Sequence, residues 1–187
     1  TEAFAATHYM ARGLIESTTE TDVVGMYLND QVGSKLNFYL TSVATTSAAA
    51  CTADGRQVDR VTLSLTNTVD PAAAPDLSSS ISGGTHQGRG LSPGEQRLVV
   101  FAYLPAGSTL LGASVNGAGV QATGNHDTDR PVQVMWVNIL PGETAVLSVD
   151  VLRDTPGTRE VVADITPTIQ GTTFAQAPLD CGSVALP

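Results

Sequence analysis

Short runs in which every second residue is apolar recur along this chain, and Gly, Pro, Asn or Asp closes most of them. Val61, Leu63 and Leu65 alternate with Thr62, Ser64 and Thr66, and Ala145, Leu147, Val149 and Val151 repeat the pattern. Arg97–Leu104 carries Val99, Phe101 and Tyr103 on one side. A period of two places such residues on one face of a strand, because successive side chains point to opposite sides of a sheet. Leu110–Val115 and Val161–Ile169 add further strands, and Asn116-Gly117 is the dipeptide most favoured in two-residue hairpins. Val132–Val137 is apolar on both faces, which predicts the central strand with Trp136 buried in it. Strands at this spacing, separated by Gly/Pro turns, predict a mainly β chain: an antiparallel β-sandwich of immunoglobulin-like or fibronectin-like architecture, with an all-β barrel as the second choice.

The N-terminal part reads differently. Met10, Leu14 and Ile15 fall near helical spacing between Tyr9 and Glu16, which predicts a short N-terminal helix. Val23–Leu28 and Leu36–Leu40 are rich in β-branched and aromatic residues and flank the turn-forming Asn29–Ser34, which predicts a hairpin anchored by Tyr27 and Tyr39. Thr41–Ala50 is aperiodic and reads as a change of direction. Residues 1–50 are therefore expected to be a helix and hairpin left from an upstream region, and residues 51–187 a β-sandwich domain.

Cys51 and Cys181 bracket the β-patterned region, and neither a CxxC nor a Cys/His cluster offers them metal or redox work. The expectation is a disulfide between them, formed in an oxidising compartment. Closing so long a loop disfavours the unfolded chain by about 4–5 kcal/mol in the entropic account. Charge is sparse, at 14% of residues, and nine basic residues face eighteen acidic ones for a net charge of −9. That balance repels nucleic acid and anionic lipid, so neither is expected as a partner. No apolar run is long enough to span a bilayer, and Thr1–Phe4 has no basic start of a signal peptide. An exported domain without a targeting segment is expected to be a piece of a longer protein.

The segment Gly25–Leu40, then Cys51, Asp54-Gly55-Arg56, Val61–Thr68 and Pro141–Thr144, resembles the C-terminal part of the proteins grouped as domain of unknown function four-zero-one-two. The resemblance runs from about Val23 onward. It implies an extracytoplasmic module of an actinobacterial envelope protein, anchored in full length by an N-terminal transmembrane helix. The family has no assigned catalytic residues, so the resemblance implies a location and no mechanism.

Candidate chemistry is thin. Asn29, Asp30 and Lys35, the only lysine, bring a carboxylate and an amine into the segment that carries the resemblance, and they are the candidate binding residues; turn capping is the simpler role for Asn29 and Asp30. Asn125–Asp129 offers oxygens to a calcium ion but lacks an EF-hand's Gly and distal Glu, so a hairpin tip is preferred. His8, His86 and His126 have no zinc spacing, and Gly83–Gly90 lacks the ending of a phosphate loop. No metal, cofactor or catalytic residue is expected. Tyr27, Phe38, Tyr39, Phe101, Tyr103 and Trp136 offer rings on which sugars could stack, although most are expected in the core. The expected function is a non-enzymatic structural or recognition module at the cell surface, with a surface glycan or an envelope protein as partner. The competing readings are a carbohydrate-binding module and an accessory part of an envelope-glycan enzyme whose active site lies upstream.

Overall fold

The computed structural model describes residues 21–83, 90–157 and 159–176. They build two sheets. One has the order β10 (Glu160–Ile165), β1 (Thr21–Asp30), β4 (Gln96–Tyr103), β8 (Arg130–Ile139) and β7 (Asn125–Asp127). The other has the order β11 (Thr172–Gln176), β2 (Leu40–Cys51), β3 (Arg56–Asn67), β9 (Thr144–Pro156), β5 (Thr109–Val115) and β6 (Ala118–Gly119). Neighbours run antiparallel except at one edge of each sheet, where β10 lies parallel to β1 and β11 parallel to β2. Both sheets are thus mixed where alternation had implied antiparallel pairing alone. A period of two reports the face a residue takes, and says nothing about the direction of its neighbour.

The inward residues of the two sheets form one core. Val24 and Met26 of β1, Leu98, Val100 and Ala102 of β4, and Met135, Val137 and Ile139 of β8 meet Val61, Leu63 and Leu65 of β3 and Leu147, Val149 and Val151 of β9. Several of these columns end in buried polar residues. On β3 the inward parity runs from Asp59 through the three apolar residues to Asn67; on β1 it begins at Asp22, and on β9 it ends at Arg153. The hydrophobic layer is therefore capped by polar groups at both ends, and each cap needs internal partners to offset its desolvation.

The hairpin expected over 23–40 does not form. β1 lies in the first sheet and β2 in the second. The carboxylate of Asp30 accepts the backbone N–H groups of Val32 (2.8 Å) and Ser34 (2.9 Å), which turns the chain out of β1. A 3-10 turn, Leu36–Tyr39, then carries it across, with Leu36 buried against Val69 and Ala74. Thr41–Ala50, expected to be irregular, is the body of β2. Its inward residues Ser42, Ala44 and Thr46 are small or polar, so the alternation of burial has no counterpart in hydrophobicity. Residues 21–50 thus belong to both sheets, and the division expected at 50/51 falls at the end of β2.

Two turn expectations match. Asn116 and Gly117 both have positive φ and join β5 to β6, the backbone a type I′ turn requires. Thr128 and Asp129 form the tip of the β7–β8 hairpin. The central strand of the first sheet is β4, not β8. Among the described residues no helix is long and apolar enough to cross a membrane. Cys51 ends β2 and is not a free thiol. Cys181, the helix over 9–16, His8, His86 and most of the glycine-rich loop lie outside the described residues.

Candidate functional site

Strand register decides which aromatic rings share a face. Tyr27 lies opposite Phe101, Phe101 opposite Val134, and Val99 opposite Trp136. Tyr103 lies opposite Gly25 on one side and Val132 on the other. All of them point away from the core, so Tyr27, Phe101, Tyr103 and Trp136 occupy the outer face of the first sheet. Trp136 is 62% exposed, contrary to the expected burial. The cause is the length of the next strand: β7 pairs β8 only from Arg130 to Val132, so nothing in the sheet flanks Trp136 on that side. The two apolar faces of β8 therefore mean a core face, Met135, Val137 and Ile139, and an open one.

One end of this face is polar and held in place. Two residues along β8 from Trp136, the Asn138 amide donates to Glu95 (2.8 Å) and accepts from Arg97 Nε (3.3 Å). Glu95 itself accepts the backbone N–H of Ser92 (2.8 Å). Asn29 projects from β1 opposite Val99 and is exposed. At the other end Tyr27 donates its hydroxyl to Asp164 of β10 (2.9 Å) and packs at 5.5 Å, tilted, against Tyr103. Burial first, and then the Asp164 carboxylate, push the Tyr27 phenol far above its ordinary range, so it remains a donor. Gly25 makes that ring position possible. A Cβ at residue 25 would fall within the Tyr27 ring, which lies back over the bare backbone of its own strand.

The second polar cluster is internal. Arg153 is 3% exposed, and its guanidinium lies 2.7 Å from Asp59 and 3.1 Å from Asp22, joining β9 to β3 within one sheet and to β1 across the core. It also donates to the Arg159 carbonyl (2.5 Å), Arg159 reaches Asp22 at 3.3 Å, and Gln57 donates to Asp59 (2.6 Å). Burial pushes the Asp59 carboxyl above the usual carboxylate range, against the opposite pull of Arg153 and Gln57. A shallow cleft of about 210 Å³ beside Asp154 and Ser108 opens onto the group. Each carboxylate faces a guanidinium, an arrangement that clamps two sheets and offers neither a free acid nor a free base. Sequence reading passed over these residues, though parity marks them: Asp59 and Arg153 continue the inward registers of Val61–Leu65 and Leu147–Val151.

The structure separates the three candidate binding residues. Asn29 reaches the aromatic face, whereas the Asp30 carboxylate serves its own loop. Lys35 precedes the 3-10 turn, its backbone N–H bound to the Ile81 carbonyl, and no ion pair joins it to Asp30. Phe38 and Tyr39 pack edge to face at 5.2 Å on the crossover between the sheets, apart from the other four rings. Among the described residues no group of three or more His, Cys, Asp or Glu side chains is placed to hold a metal ion.

No protein family model matches the chain, and no curated protein matches it. A crystal structure of a candidate nutrient-binding protein from Legionella pneumophila is similar at a TM-score of 0.37 and 13% identity, over 71% of this chain and 44% of that one. The chain spans less than half the length of that protein.

Proposed function

We propose that the chain is a non-catalytic recognition module of an extracytoplasmic envelope protein, of the kind implied by its resemblance to domain of unknown function four-zero-one-two, and that it binds a surface component through the outer face of the first sheet. Trp136 carries the reading. A large ring left 62% exposed on a strand, beside fixed polar side chains, is a feature that folding alone does not require. The remaining gathered polar groups, Asp22, Asp59 and Arg153 inside and Asp30 in its loop, are engaged with one another or with backbone, which weighs against catalysis by these residues. In this reading the two sheets form an immunoglobulin-like or fibronectin-like sandwich extended by the parallel edge strands β10 and β11.

Purified chain should sediment with isolated actinobacterial envelope fractions, and Trp136→Ala should reduce that binding to background while leaving the melting temperature unchanged. Equal binding by the variant would refute the reading. The oxidising compartment of this reading is where the expected Cys51–Cys181 disulfide would form and persist. Thiol titration of the denatured, unreduced chain should find no free thiol, and reduction should cost about 4–5 kcal/mol of stability. Two titratable thiols would contradict the pairing.

A further inference from the structure

Resting on the recognition reading above, we infer that the occupant of the outer face is an uncharged polysaccharide, one of whose pyranose rings stacks on the Trp136 indole. The two faces of an indole carry negative potential, and the axial C–H groups of a pyranose present a weakly positive, flat apolar patch of matching size. Hydroxyls at the ring's rim then need planar donors and acceptors. The Asn138 amide, oriented by Glu95 and Arg97, and the exposed Asn29 supply them from strands and not from mobile loops, so little ordering remains to be done on binding.

Area and charge select this occupant over others. Val99, opposite Trp136, is already 2% exposed, and Tyr27, Phe101, Tyr103 and Val134 are part-buried, so the one ring fully open on this face is the indole, roughly 150 Å², with narrower strips of its neighbours beside it. A second copy or a folded partner covers about 800 Å² on each side around a continuous apolar centre, which one open ring flanked by part-buried neighbours does not supply. Arg97 and Glu95 offset each other through Asn138, which leaves the polar end of the strip without net charge. The chain as a whole carries −9, and an anionic glycan would be repelled as it approached.

Trp136 is the only tryptophan in the chain, so its emission reports on this face alone. Titration of the full chain with a panel of neutral hexasaccharides, built from glucose, mannose, galactose or arabinose, should give a saturable blue shift with at least one member. Calorimetry on variants should show affinity reduced by about tenfold or more in Trp136→Ala, and partly retained in Trp136→Phe. Gly25→Ala, which displaces Tyr27 at the far end of the face, should weaken binding less. An unchanged spectrum across the whole panel, with Trp136-dependent envelope binding intact, would overturn the sugar inference and leave recognition of a protein. Equal affinity for oligogalacturonate would overturn it as well. So would a dimer in sedimentation that Trp136→Ala abolishes, because the occupant would then be a second copy.

Discussion

Arg153→Met is expected to destabilise the fold by about 3–5 kcal/mol, measured by urea or thermal unfolding. Methionine fills a similar volume, so the loss is electrostatic: Asp22 and Asp59 remain buried beside the place their shared cation occupied, and only Arg159, at 3.3 Å from Asp22, still offsets charge. The deficit should depend on pH in a definite direction. Burial already raises the Asp59 carboxyl in the folded protein, so the native state holds this proton more tightly than the unfolded chain does. Its contribution is then fully present below the ordinary carboxylate value of about 4 and is lost as pH rises through the folded value. Removing Arg153, which pulls that value down, steepens the dependence: the variant should approach wild type near pH 4 and fall away towards neutrality. Replacing Asp22, Asp59 and Arg153 together by apolar residues of similar volume should recover most of the loss, because no buried charge is then left unpaired. A small, pH-independent loss in Arg153→Met would show that the cluster is solvated in solution.

Asn67→Ala should cost a similar amount, about 3–5 kcal/mol, at the opposite end of the core. The Asn67 amide donates to the carbonyls of Gly94 (2.9 Å) and Ile139 (3.0 Å), both at the end of the first sheet, and accepts the backbone N–H of Val69 (3.2 Å). Its own backbone closes the β8–β9 turn, donating to Glu143 (3.0 Å) and accepting from Gly142 (2.8 Å). One fully buried side chain therefore satisfies three backbone groups of three segments, and alanine strands all of them. Asn67→Asp is the informative companion. It keeps the acceptor for Val69 but turns a carboxylate towards two carbonyl oxygens, so it should be at least as damaging, and more so as pH rises. Retention of wild-type stability by Asn67→Ala would mean that water replaces the amide at that end.

Alternation made β3 and β9 readable, because there inward residues are Val, Leu or Ala and outward ones are mostly Ser, Thr or Asp, whereas β4 and β8 were readable as strands by their β-branched and aromatic content but not by face, since Val99, Phe101, Tyr103, Val132, Val134 and Trp136 point outward. β2 was not readable, since its inward Ser42, Ala44 and Thr46 differ little in polarity from the residues between them. The crossing from β1 to β2 looked like a hairpin because Asn29–Ser34 has turn chemistry, and turn chemistry does not say which sheet the chain enters next. The exposure of Trp136 depends on β7 being three residues long, a tertiary fact with no trace in the composition of β8. The internal charges were legible in principle. They stand in the inward register of Val61–Leu65 and Leu147–Val151, where a charge needs an internal partner, and an account of the apolar residues alone leaves that pairing unseen.

The last described strands close what the first described ones begin. Tyr27 of β1 reaches Asp164 across 137 positions, and Ser42 of β2 bonds Thr172 across 130. Neither sheet can be completed during synthesis until most of the polypeptide has emerged, and contacts of such sequence separation form slowly, after local hairpins such as β2–β3 and β5–β6. Until then β1 keeps an unpaired edge and the core stays partly open. A nascent chain of this topology exposes an unpaired strand edge and apolar surface through most of its synthesis, and is liable to aggregate in that interval.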